Sequence, residues 1–191
     1  VEAVAEAKNA AGETSVASEH ATAAGQAPEG AIFNPENARD NLHLGIDVGS
    51  TTVKLAVLND DNQIVYAKYQ RHHTDVRACA RDLFEGAATV LPTAQMTCAI
   101  TGSGGLLLSQ WLDLEFVQEV IASKRAVETL IPATDVAIEL GGEDAKIIYF
   151  DNGIEQRMNG TCAGGTGAFI DQMATLLHTD ASGLNELAAN A

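Results

Sequence analysis

Two glycine-rich turns, each set between short apolar runs, constrain this chain more than any other feature. The first is Gly45-Ile46-Asp47-Val48-Gly49-Ser50-Thr51-Thr52-Val53-Lys54, and the second is Ile138-Glu139-Leu140-Gly141-Gly142-Glu143-Asp144-Ala145-Lys146. In each, an apolar run carries an acid, small residues make the turn, and a second apolar run passes a lysine. Glycine at such a turn lets an anion reach backbone N–H groups, because no Cβ intervenes. An acid beside the turn suits a hydrated magnesium ion. Two such hairpins facing each other would clamp a nucleoside triphosphate from both sides. The pair therefore points to ATP and Mg2+ as ligands, with Asp47 and Glu139 as the catalytic acids.

Each of these residues also has a plainer reading. Asp47, at the end of its strand, is either a magnesium contact that orients the attacking water or a solvated acid in a tight hairpin. Gly49, Ser50, Thr51 and Thr52 offer backbone and hydroxyl donors to phosphate oxygens, and Lys54 stands one strand residue inward. Glu139 lies between Ile138 and Leu140. An unpaired carboxylate is costly to bury, so Glu139 either has a metal, water or donor partner or sits at a bulge and points outward. Gly141, Gly142, Asp144 and Lys146 complete the second phosphate turn. Gly102, in Thr101-Gly102-Ser103-Gly104, either approaches the nucleotide or only turns a strand into a helix. The competing nucleotide signatures, G-x-x-x-x-G-K-[ST] and G-x-G-x-x-G after a strand, do not occur.

Charge narrows the partners. Eleven Lys and Arg stand against 26 Asp and Glu, a formal charge of −15, which argues against nucleic acid. A triphosphate site must then rely on backbone N–H groups, a metal ion and one or two lysines. No apolar stretch reaches the length of a membrane span. Cys79, Cys98 and Cys162 have no C-x-x-C spacing and no even count, which fits a reduced, cytoplasmic protein better than a disulfide framework.

Residues 1–40 read as a disordered tail or linker, because 11 of the first 31 residues are Ala and the first aromatic is Phe33. From Leu42 the pattern predicts strands at Leu42–Asp47, Val53–Asn59 and Gln63–Tyr69, then a helix over Asp75–Leu91. A buried strand follows at Thr97–Thr101, a helical turn at Leu106–Trp111 and a helix at Gln118–Leu130. Strands return at Asp135–Leu140, Ala145–Phe150 and Ile154–Met158, with a turn at Asp151-Asn152-Gly153. A helix over Phe169–Leu177 and another from Leu184 end the chain. The same plan of three strands and a helix thus occurs twice. We expect an α/β fold of two similar halves, residues 41–131 and 132–191, the second incomplete, with the architecture of actin-like, ribonuclease H-like ATPases.

Cys79 and Cys98 fall on elements that make them core residues. Cys162 differs. It lies in Asn159-Gly160-Thr161-Cys162-Ala163-Gly164-Gly165-Thr166-Gly167, just before a helix. Free N–H groups and the positive helix end favour a thiolate there, which can ligate metal or cluster iron. A structural cysteine is the other reading.

Together these stretches resemble the activator ATPases of 2-hydroxyacyl-CoA dehydratases, in the BadF/BadG/BcrA/BcrD ATPase family. The third matching stretch is Asn159 to Phe169, and the likeness covers Leu42 to Ala191. The form with Glu139 and Glu143 looks most like the N-terminal module of very large CoA-substrate-specific activases. The resemblance implies a homodimer, or a pairing with a second activase module, that holds one 4Fe-4S cluster at its interface. It implies that ATP hydrolysis drives a low-potential electron from that cluster into a 2-hydroxyacyl-CoA dehydratase or dehydratase-like domain. Cys162 matches one cluster cysteine of the family. The chain also departs from the pattern. Ala122 stands at the position of the other cluster cysteine, and Glu139 replaces a more usual Asp. The adenosine-binding region of the second half has no counterpart here. A small-molecule kinase of the same fold, for acetylated hexosamines, and a non-catalytic ATP-sensing module are the rival readings.

Overall fold

In the computed structural model, residues 27–39, 41–91, 96–150, 155–159, 164 and 166–190 are described. The chain divides into two compact units, Val1–Leu130 and Ile131–Ala191.

The first unit is built on a six-stranded sheet. Strands β1 (Ile32–Phe33), β2 (Leu42–Val48), β3 (Thr52–Asn59), β4 (Ile64–Arg71), β5 (Met96–Thr101) and β6 (Glu115–Phe116) lie in the order β1-β4-β3-β2-β5-β6. β2, β3 and β4 form an antiparallel meander, and β5 and β6 extend it in parallel. Parallel neighbours need a crossover, and helix α1 (Val76–Ala88) supplies it between β4 and β5. Asp75 starts that helix: its carboxylate accepts the Ala78 N–H at 2.9 Å. Helices α2 (Gly105–Leu112) and α3 (Glu119–Leu130) follow β5 and β6.

Side-chain alternation splits the meander into two faces. Leu42, Leu44, Ile46 and Val48 share one face with their cross-strand partners Val53, Leu55 and Val57, and Tyr66 opposes Val57. These residues join Cys79, Ala80, Leu83 and Ala87 of α1 and Leu108 of α2 in one buried cluster. The odd-numbered residues of β2, His43, Gly45 and Asp47, emerge on the other face. An acid in this strand can therefore avoid the apolar core without disturbing the ladder.

Composition predicts a tail through residue 40, and the structure departs from this at residues 27–39. Ile32 and Phe33 pair with Ala67 and Tyr66 at the edge of the sheet, ahead of a 3-10 turn at Pro35–Asn37. The side-chain amides of Asn34 and Asn37 both donate to the Ile64 carbonyl, at 2.9 and 3.0 Å. Phe33, Ala27, Ala31 and Ala38 pack against the core. The abundant alanines of the stretch mask one short apolar pair that has an unpaired strand edge to join.

The second unit repeats the plan. Strands β7 (Val136–Leu140), β8 (Ala145–Tyr149) and β9 (Glu155–Met158) form an antiparallel sheet in that order, followed by α4 (Gly167–Leu176) and α5 (Ala181–Ala189). Asp180 caps α5 by accepting the Gly183 N–H at 2.9 Å. The turn expected at Asp151-Asn152-Gly153 lies outside the described residues.

Candidate functional site

Asp47 and Lys54 are Cα partners across the β2–β3 ladder. Same-face partners in a hairpin bring their side chains together, and the Lys54 ammonium meets Asp47 Oδ2 at 2.8 Å. Both side chains are largely covered. The turn beyond them is closed by the Gly49 N–H donating to the Thr52 carbonyl at 2.9 Å. Ser50 is exposed at its tip, and Thr51 and Thr52 are partly covered. Thr51 is also tied sideways, its carbonyl accepting the His72 N–H at 3.2 Å.

The loop after β5 folds over the end of β2. Gly104 donates its N–H to the Val48 carbonyl at 2.9 Å. Gly102 has φ +92°, and a Cβ there would collide with Asp47 Oδ1 and the Val48 carbonyl. Glycine is therefore required on two counts, by its backbone and by the carboxylate beside it. Gly102 thus turns β5 toward α2 and does so directly beside the Asp47 carboxylate. Thr101, one residue earlier, is the Cα partner of Asp47 across the parallel β2–β5 ladder.

The second hairpin repeats the first position for position. Glu139 and Lys146 are Cα partners across β7 and β8, and Lys146 Nζ lies 3.3 Å from Glu139 Oε1. Gly141 closes the turn by donating to the Asp144 carbonyl at 2.8 Å. In both hairpins the acid precedes the donating glycine by two residues and its lysine by seven. The β7–β8 register runs without a bulge, so Glu139 is not an acid expelled by an irregular strand. It is the more covered side chain in its stretch, while Ile138 and Leu140 are exposed. Glu143 and Asp144 are exposed at the turn, and Gly142 is partly covered.

Helix α4 holds this second turn from behind. The N–H groups of Gly167 and Ala168 donate to the carbonyls of Gly141 and Gly142, at 3.1 and 2.7 Å. The sequence suggests that amides at this helix start are free to stabilise a thiolate, but these two are engaged by the turn. Cys162 itself lies outside the described residues.

An iron–sulfur cluster does not fit the described residues. Burial pushes the Cys98 thiol up to about 12, and Cys79 is raised by burial and then by the Asp82 charge. Such thiols stay protonated and make poor ligands. Ala122 is 2% exposed in α3, with no donor atom in its side chain. No three His, Cys, Asp or Glu side chains among the described residues group closely enough to hold a metal. Magnesium asks less of the protein. It binds through one or two carboxylates together with substrate phosphates, and Asp47 beside an amide-rich turn meets that need.

The (R)-2-hydroxyglutaryl-CoA dehydratase activating ATPase of Acidaminococcus fermentans is 34% identical over 76% of this chain and 57% of its own length. The activator of lactoyl-CoA dehydratase of Anaerotignum propionicum is 35% identical over 75% of this chain and 57% of its own. The chain thus spans under two thirds of the curated relatives it matches. The crystal structure of the Acidaminococcus fermentans component A superposes with TM-score 0.69 at 31% identity, covering 80% of this chain and 60% of that one. The activator of 2-hydroxyisocaproyl-CoA dehydratase from Clostridium difficile, solved with bound ADPNP, gives TM-score 0.68 at 29% identity, covering 78% and 57%. The fold is that of the actin-like ATPases. No helix among the described residues is long and apolar enough to cross a membrane. Residues 44–191 match the family model as well, and the chain belongs to the BadF/BadG/BcrA/BcrD ATPase family.

Proposed function

We propose that this chain is the nucleotide-handling part of an ATP-dependent activator of a 2-hydroxyacyl-CoA dehydratase. The observation that carries the reading is the duplicated hairpin, in which an acid, a donating glycine and an opposed lysine recur at the same spacing. The Gly49–Thr52 and Gly141–Asp144 turns are its phosphate contacts, with Gly102 closing over Asp47. Asp47 is the acid of the first hairpin that holds a hydrated cation and orients the attacking water, and Glu139 is its counterpart in the second hairpin. Lys54 and Lys146 fix the two carboxylates and temper their charge, which an acidic chain would otherwise set against the phosphates. Bound magnesium supplies charge neutralisation on the phosphates.

Electron delivery to the dehydratase is the finer part of the proposal. Cys162 is its cluster ligand, and the remaining ligands come from a second copy or a second activase module. The buried Ala122 favours one alternative: a non-catalytic module that senses ATP without carrying a cluster. Anaerobic purification of the full-length protein, with iron and sulfide analysis beside a magnesium-dependent ATPase assay, separates the two. ATPase activity with iron supports the activator, ATP binding without hydrolysis or iron supports the sensor, and ATPase activity without iron removes the electron-delivery part of the proposal. Absence of both ATP binding and hydrolysis overturns the nucleotide reading.

A further inference from the structure

Thr101 ends β5 opposite Asp47, and parallel pairing directs both side chains to the same face. The residue is 8% exposed, yet its hydroxyl has no hydrogen-bond partner among the described residues. The same face offers a control. Thr97, four residues earlier on β5, is paired with His43 of β2, and its Oγ1 lies 2.7 Å from His43 Nδ1. The ladder can therefore satisfy a threonine hydroxyl when the neighbouring side chain reaches it. Beside Thr101, the carboxylate of Asp47 is instead held by Lys54 through Oδ2 and lies against Gly102 through Oδ1. A buried hydroxyl left without a partner lowers stability, so a native one calls for an explanation.

We propose that Thr101 is a positioning residue of the nucleotide site, its hydroxyl accepting a hydrogen bond from a water of the hydrated magnesium that Asp47 holds. This rests on the ATP reading above. The three strands β3, β2 and β5 then present a row of Lys54, Asp47 and Thr101: a cation, an acid and a neutral acceptor. Neutrality matters at the third place. A second carboxylate would compete for the lysine, whereas a hydroxyl can orient a coordinated water without adding charge.

The test uses the full-length protein and Thr101→Val, which keeps the shape and removes the hydroxyl. Removing an unsatisfied buried hydroxyl should leave the melting temperature without nucleotide unchanged or raised. Calorimetric affinity for ADP in EDTA should match wild type, while the gain in affinity on adding Mg2+ should shrink about tenfold. Thr101→Ser should restore that gain. A full magnesium gain in Thr101→Val overturns the proposal, and so does a lowered melting temperature without nucleotide, which would mean a structural role. If wild type binds neither ADP nor ATP, it is the ATP reading itself that fails.

Discussion

The Lys54 ammonium sits 2.8 Å from the carboxylate of Asp47, its direct partner across the β2–β3 hairpin. The same relationship holds between Lys146 and Glu139, at 3.3 Å across β7 and β8. Register explains both. A tight turn fixes which residues oppose each other, and a one-residue slip would send acid and lysine to opposite faces. An acid already engaged by a lysine keeps its charge but not its full field. Such a group suits a hydrated cation carried in with phosphates better than a bare ion bound for its own sake.

Asp47→Asn preserves the shape of this site and removes its charge. In the full-length protein we expect magnesium-dependent ATP hydrolysis to fall on the order of a hundredfold or more. Stability should change by about 1 kcal/mol or less, the usual worth of a partly exposed ion pair. Hydrolysis and urea denaturation measured on the same preparation check both halves. Wild-type turnover in the folded variant removes Asp47 from the chemistry.

Gly102→Ala tests the loop that covers Asp47. With φ at +92°, any L side chain is strained, and here its Cβ would strike the carboxylate and the Val48 carbonyl. The backbone alone should cost about 1–2 kcal/mol. The collision should also displace Asp47, so hydrolysis should fall further than the lost stability accounts for. A variant that melts lower but hydrolyses ATP normally at a permissive temperature would show that the loop is only a structural turn.

Much of this was readable from the residues alone, because the meanders alternate cleanly and their turns carry glycine. The acid–lysine pairings follow from the same register. Three things were not readable. The β1 pairing at Ile32–Phe33 rests on two residues in a compositionally polar and alanine-rich stretch, too few to register as a strand. The exposure of Ile138 and Leu140, with Glu139 the more covered, reverses what an apolar run suggests. Only the sheet partners of β7 decide which face is covered. The orphan hydroxyl of Thr101 arises from a parallel neighbour 54 positions away on β2, and local sequence does not encode that proximity.

The cysteines give a chemical readout. Burial raises both Cys79 and Cys98, the latter to about 12. Thiolate is the reactive form, so both should resist iodoacetamide at pH 8 in the native protein and react after denaturation. Mass mapping of native and unfolded samples reads this directly. Cys79→Ser and Cys98→Ser should leave any bound iron in place, whereas Cys162→Ser should remove it and spare ATP binding. Iron that survives loss of Cys162 would sink the electron-transfer part of the proposal.

Acid sensitivity should appear at the opposite end of β2. His43 Nε2 lies 3.0 Å from Asp60 Oδ1, and the Asn41 side-chain amide donates to Asp60 Oδ2 at 3.1 Å. Hydrogen bonding from His43, then from Asn41, holds the Asp60 carboxyl below its ordinary value of 3.8. A carboxyl with a depressed folded pKa binds protons more readily when unfolded, so its contribution is fully present above about 3.8. That contribution is lost as pH falls through the lower folded value. Urea denaturation of wild type and Asp60→Asn at pH 6 and pH 3 isolates it, because the other carboxylates cancel in the difference. The Asn variant should be the less stable at pH 6, and the gap should narrow by pH 3. A gap that stays constant between the two would mean that the charge of Asp60 does not hold this end of the sheet together.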